Sequence, residues 1–471
     1  MGDPRDPVDH WLNAEVEPLP PRPGAFERIS RRAHRRKVMR ASMSAAGVAV
    51  VIAVAAAAPG IVSALKPGGG RPVPPVAASS PRPTAAPAVT GNGSGGLSSQ
   101  SSSPVPTAQT PASLVNQGPL PGNFQPTSVT FIGVHTGAVI GQAGTQGHCA
   151  STYCTSLAGT TNYGGTWFGV SAPHAGPPDG AQGVGQLRFL DTDNGWAFGP
   201  QLWVTHSAGA HWVQEQTDGM RVIDLETAGK RAFALFAKCS GSGADFGTGC
   251  GSVSLYTSTA AGDRWQRVSG PAASLPPAAA GQAASASLVL AGGRGYLLAP
   301  SGELLSGPLT GAAWTVADAQ VPCLPGAPGA GGQPTGALMA AGSGELILVC
   351  TSAASTAGDS QTKVVMRSSN GGTSWSTAGD GPEAGIATSV AAAEGNVVVL
   401  ATDAGLDLST NGGVSWQLAR SGPVQARAGL RGFSYVGMTS ASQGVALPAD
   451  PGLHEVFITS DGGATWQISP L

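Results

Sequence analysis

Apolar and polar positions along this 471-residue chain change character three times. Residues 1–40 are Pro-rich and read as a disordered tail ending in a basic run. Ala41 to Leu65 carries no charge and is mostly Ala, Val and Ile. At about 1.5 Å per residue this segment is long enough to cross a bilayer core as one helix. Residues 66–121 are rich in Pro, Ser, Thr, Ala and Gly, cannot bury enough apolar surface to fold, and read as an extended, disordered stalk. From residue 122 to 471 one pattern returns: TTNYGGTW at Thr160–Trp167, SSNGGTSW at Ser368–Trp375, STNGGVSW at Ser409–Trp416 and TSDGGATW at Thr459–Trp466. Looser copies end at Trp212 and Trp265, and Trp314 closes the most degraded one. Spacings of 41 to 61 residues between these tryptophans mark a propeller or solenoid.

Each copy runs hydroxyl residue, Asx or small residue, glycine, tryptophan. An Asx side chain bonds backbone groups two residues on and makes its own turn. Glycine supplies the positive φ that a tight hairpin needs. The tryptophan then buries a large ring on the returning strand. The pattern therefore predicts a strand–turn–strand corner, with all seven rings largely buried, and not a reactive site.

These residues resemble the Asp-box, or bacterial neuraminidase repeat, over about Gln125 to Leu471. Only the last copy keeps an aspartate, Asp461; Asn162, Asn370 and Asn411 replace it, and Ser207, Ala260 and Leu309 depart further. In that family the box joins the third and fourth strands, C and D, of a propeller blade. FLDTDNGWAFG at Phe189–Gly199 is similar to the first two strands and their turn, and weaker counterparts at Phe131, Leu225, Val289, Ala391 and Val436 precede other boxes. Ahead of the fifth box no clear counterpart is found. The combined pattern is most similar to the seven-bladed propellers of the photosystem II assembly factor group. The resemblance implies an all-β fold, a seven-bladed β-propeller with Asp-box C–D turns; the apolar segment and the Pro- and Ser-rich stretch after it place one transmembrane helix and a disordered linker ahead of it. Blade 7 is expected to be complete in itself, with the ring closed by blade 1 packing on it.

Seven Lys or Arg in Arg28–Arg40 precede the apolar segment. That asymmetry keeps the N-terminus in the cytoplasm and places the propeller outside, in a single-pass cell-membrane protein anchored by residues 41–65. The basic run also resembles juxtamembrane segments of actinobacterial proteins, and attracts anionic headgroups. The competing reading is a signal peptide cleaved near Ala57 or Ala64, whose n-region of about forty residues is far longer than usual. Residues 119–471 hold thirteen basic and twenty-one acidic groups, a net −8 that argues against nucleic acid.

All six cysteines follow residue 122, in near pairs: Cys149 and Cys154, Cys239 and Cys250, Cys323 and Cys350. An even count in an exported domain favours disulfides, for which fifteen connectivities exist. The sequential pairing is expected because each pair sits in or beside one loop. Zinc is the rival at Cys149 and Cys154 beside His148, but no second ligand pair follows at finger spacing. On the blade mapping the long B–C and D–A loops share one face, and the cysteines lie on or next to them. Long loops on a rigid scaffold are where function gathers. His148, Tyr153, Lys238, Asp245, Phe246 and Asp359 are the candidate binding residues there, each also readable as a solvated loop residue.

Catalysis finds little support. A sialidase needs an arginine cluster, and Arg188, Arg294 and Arg367 are isolated in sequence. Asp191 and Asp193 are a carboxylate pair in an A–B turn, where they serve as turn formers. The histidines show no metal-ligand spacing. No catalytic residue, metal or cofactor is expected. The chain reads as a non-catalytic binding or scaffold protein for a protein, peptide or glycan at the cell surface. The alternatives are an exported carbohydrate-active enzyme and an assembly factor for another envelope protein.

Overall fold

The computed structural model describes residues 113–144, 153–177, 182–239, 250–260, 264–275, 286–299, 301–318, 321–323, 334–342, 344–352, 360–427 and 429–471. The expected tail, the apolar segment 41–65 and most of the stalk lie outside these residues. Among the described residues no helix is long and apolar enough to cross a membrane.

Among the described residues 28 strands form seven four-stranded sheets, each an antiparallel meander of consecutive strands. The fold is a seven-bladed β-propeller. Its blades span Gln125–Val170, Gln186–Gln214, Arg221–Arg267, Ser287–Asp318, Pro334–Asp380, Ala387–Ser421 and Phe433–Pro470. The first strands, A, pack on one another from blade to blade and so border the axis. Strands B, C and D follow outward.

The apolar residues fall into seven clusters, and each cluster is one junction between neighbouring blades. Period-2 alternation explains this. In strand B of blade 5 (Leu346–Ser352), Leu346 and Leu348 face Leu298 and Leu304 of blade 4, whereas Ile347 and Val349 face Val398 and Leu400 of blade 6. A strand buried on both faces reads as a continuous apolar string and not as an alternating one. Leu346–Cys350 is thus the fifth counterpart that pattern reading misses.

The C–D turns show what the repeat is for. In blade 1, Thr160 Oγ1 donates to Asn162 Oδ1 (3.0 Å) and accepts the Gly164 N–H (2.9 Å), while Asn162 Oδ1 also accepts the Thr166 N–H (3.0 Å). The Asx side chain reaches four residues on, where two were expected. The same bonds recur at Ser368, Ser409 and Thr459. In blade 2, Ser207 takes the Asx role and accepts the His211 N–H (3.0 Å). The glycine has a second duty. Gly164, at φ 77°, sits so close to blade 7 that a Cβ would stand 2.2 Å from Ile458 Cδ1. Gly372, at φ 89°, meets Leu304 Cδ2 of blade 4 at 2.1 Å in the same way. Each turn is a wedge against the preceding blade.

All seven tryptophans are largely buried, as expected, and they depart from expectation only in position. Each stands one residue before strand D and not on it. Trp314 and Trp466 are the most buried; Trp167, Trp212, Trp265, Trp375 and Trp416 keep partial exposure, because they cover the rim of a junction. Trp314, from the most degraded copy, is fully buried. Its ring lies against Gly295 and Gly307 of its own blade, where a Cβ would come within 2.3 Å and 2.1 Å of it. Two glycines thus provide the space that turn chemistry does not specify.

Blade 7 is complete in itself, with all four strands from Phe433–Pro470. The ring closes by packing of Phe124, Val129 and Val139 on Val445, Leu447, Val456 and Ile458. Polar bonds seal it: Trp167 Nε1 to Ser469 Oγ (2.8 Å), Gln443 Nε2 to the Val134 carbonyl (2.7 Å), and His454 Nδ1 with the Phe124 carbonyl (2.8 Å). Residues 114–120, expected at the end of the stalk, lie on blade 1. Gln117 and Gly118 exchange backbone bonds with Gly169 (both 2.8 Å), and Leu114 is buried at the junction with blade 2. One apolar side chain and a free strand edge outweigh the polar composition around them.

Candidate functional site

The B–C and D–A connections emerge on one face, here the loop face. Cys239 and Cys250 are opposed across strands B and C of blade 3 and are bridged. Cys323, in the connection from blade 4, is bridged to Cys350 in strand B of blade 5, and this pair is buried. Of the candidate residues, Lys238 is exposed next to the first bridge. Tyr153 opens strand C of blade 1 opposite Gly144. His148, Asp245, Phe246 and Asp359, and the pairing of Cys149 with Cys154, lie outside the described residues.

The described part of this face carries a polar scaffold. Lys363 is buried, and its ammonium donates to four carbonyls: Gln361 (3.0 Å), Pro382 (2.9 Å), Ala384 (3.2 Å) and Gly385 (2.7 Å). Burial lowers its pKa, opposed by the charges of Asp407 and Asp403. Asp407 is lifted to about 6 by burial, with Lys363 pulling the other way. This lysine ties strand C of blade 5 to the connection leading into blade 6, at the junction with the smallest apolar cluster. At blade 7, Asp450 accepts from the Arg427 guanidinium (2.6 Å) and from the backbone N–H groups of Arg427 (2.8 Å) and Gly452 (3.0 Å). These bonds hold its carboxyl well below the usual range.

A second constellation borders the axis. Arg188 in strand A of blade 2 (Gln186–Phe189) pairs with Glu226 in strand A of blade 3 (Arg221–Ala228) at 2.9 Å. Asp224, two residues before Glu226, accepts the Leu288 N–H of blade 4 (3.0 Å). Burial, then the charge of Glu226, lifts Asp224 to about 7, against Arg188 and two backbone N–H groups. Tyr435, from blade 7, is raised by burial and stands near enough to Arg188 to be pulled back by its charge. Blades 2 and 7 are not neighbours, so these side chains approach across the axis. The sequence reading missed this group. Its members lie in three separate strands, Gln186–Phe189, Arg221–Ala228 and Phe433–Met438, and only ring closure brings them together.

The chain thus belongs, by strand order, to the seven-bladed propellers. No protein-family model and no curated protein matches this sequence. Among solved structures it is similar to YCF48 bound to D1 peptide, at 16% identity over 75% of this chain and 99% of that chain, with a TM-score of 0.44. It is also similar to an ancestral GH74 enzyme, at 13% identity over 77% of this chain and 48% of that one (TM-score 0.45). Saccharomyces cerevisiae Sqt1 is a third, at 9% identity over 76% and 88% of the two chains (TM-score 0.45). With identities this low and TM-scores under 0.5, the propeller assignment stands on the seven sheets alone.

Proposed function

We propose that this protein is a membrane-anchored, extracytoplasmic, non-catalytic binding propeller of the Asp-box type. It recognises a protein, peptide or glycan at the cell surface through its loop face. Residues 41–65 are the anchor, and the segment after them carries the ring away from the bilayer. The observation that carries this reading is the pair of disulfides on the loop face, Cys239–Cys250 half-buried and Cys323–Cys350 buried. Cys239–Cys250 closes the B–C loop of blade 3, and Cys323–Cys350 ties the connection from blade 4 to strand B of blade 5; bracing of this kind lowers the entropy lost when loops engage a partner. Disulfides of this kind also persist outside the cytoplasm. Affinity capture by the full chain in membranes, compared with a Cys239→Ser/Cys250→Ser variant, tests it. The variant is expected to stay folded and retain less partner; equal retention contradicts the reading.

One observation favours a second reading, an exported carbohydrate-active enzyme. Asp224 and Glu226 lie two residues apart on one strand, about 7 Å in Cα spacing, and Asp224 is lifted to about 7 as a general acid would be. Both carboxylates are already engaged, by the Leu288 N–H and by Arg188. Screening hydrolysis of exported polysaccharides with wild type and Glu226→Gln separates the two: activity lost in the variant would favour the enzyme.

A further inference from the structure

The A–B and C–D turns emerge on the face opposite the loops. Between blades 4 and 5 this turn face holds a groove of about 520 Å³, within the size range of small-ligand sites. A second hollow of about 220 Å³ shares Gly342 and Glu345 with it and continues towards blade 6. The larger groove is lined by Gly292 and Gly344, both exposed, where a Cβ would meet nothing within 4 Å.

Charge in the groove is one-sided. Glu345 is neutralised by Arg367, whose guanidinium reaches both carboxylate oxygens at 2.5 Å and 2.6 Å. Arg294 donates one bond, to Ser306 Oγ (3.0 Å), and meets no carboxylate among the described residues. It is therefore an uncompensated cation in a propeller of net −8. Tyr296 follows two residues later on the same strand (Arg294–Leu298), so both side chains project to one side. Tyr296 is nine-tenths buried, yet its hydroxyl has no hydrogen-bond partner among the described residues and is not sealed from solvent. It lines the groove. A guanidinium and a phenol side by side offer the two donors that one carboxylate accepts. The hydroxyls of Thr315 and Ser369 are also without partners among the described residues, and Val316 offers an exposed aliphatic wall.

We propose that this groove binds a carboxylated oligosaccharide, with one uronic acid carboxylate held by Arg294 and Tyr296 and neighbouring sugar hydroxyls by Thr315 and Ser369. Free hydroxyls and open glycine backbone suit a sugar better than a peptide, whose side chains need apolar pockets. The site lies on the face opposite the loops and does not depend on the loop-face reading.

Calorimetric titration of the full chain in detergent with trigalacturonic acid, and with neutral trigalactose, tests the site. The acidic trimer is expected to bind at least about tenfold more tightly than the neutral one. Arg294→Ala should weaken it by about tenfold or more, and Tyr296→Phe by about threefold or more, with the melting temperature of the Arg294 variant unchanged. Arg294 is exposed, so that variant keeps the test decisive if Tyr296→Phe misfolds. Equal binding of both trimers, no binding up to about 10 mM, or acidic binding indifferent to Arg294→Ala would overturn the proposal. Tighter, Arg294-dependent binding of an oligoglutamate peptide would overturn the saccharide assignment. None of these outcomes alters the loop-face capture experiment.

Discussion

At Asp224, burial and the neighbouring Glu226 oppose a positive Arg188 and two backbone N–H groups, and burial wins. The carboxyl titrates at about 7 in the fold and near 4 when unfolded. The folded state therefore holds an extra proton between those values. The stability this contributes is complete below pH 4 and is lost as pH rises through 7. Asp224→Asn removes the titration and leaves an acceptor for the Leu288 N–H. It is expected to match wild type near pH 4 and to be more stable at pH 8, by up to about 4 kcal/mol; a melting series in pH checks this. The wedge glycines give a second residue-scale prediction. Gly372→Ala faces both a positive φ and Leu304 Cδ2 at 2.1 Å, and should cost about 2–4 kcal/mol. Gly292→Ala, with a positive φ but open space, should cost only about 1 kcal/mol. Equal losses on denaturant unfolding would contradict the wedge.

Among the elements, the C–D turn was the most legible, because local chemistry decides it. A buried hydroxyl, an Asx oxygen and a glycine N–H sit within five residues and need no distant partner to form their bonds. Trp314 shows the limit: its burial depends on glycines seven and nineteen residues upstream, which no turn motif announces. The Lys363 junction was illegible for the same reason, since its four carbonyl partners include three from the connection into blade 6. Lys363→Met should leave those carbonyls without a donor and lower stability by about 2–4 kcal/mol, as read by chemical unfolding. The disulfides differ in setting more than in loop length. Sequence separations of 11 and 27 give chain-entropy contributions of about 3 and about 3.5 kcal/mol. Cys323→Ser/Cys350→Ser also puts two hydroxyls into the apolar junction of blades 4 and 5, so its melting temperature should fall further than that of Cys239→Ser/Cys250→Ser. The reverse order would show that the buried pair does not secure that junction.

At the scale of the molecule, ring closure decides both stability and site. The blade count and the self-contained last blade were readable from repeat spacing, since each blade is one consecutive meander. The axial group of Arg188, Asp224, Glu226 and Tyr435, and the groove at Arg294 and Tyr296, were not. Their members come from different blades or alternate along one strand, and an arginine isolated in sequence gains its meaning only from the blade beside it. The central claim, recognition through the loop face, is tested most directly by photo-crosslinking in intact membranes. A photoreactive residue at Lys238, on the loop face, is compared with one at Ser440, in the A–B turn of blade 7. A discrete adduct from position 238 and none from position 440 is the predicted result. Adducts of equal yield from both, or none from position 238, would contradict it.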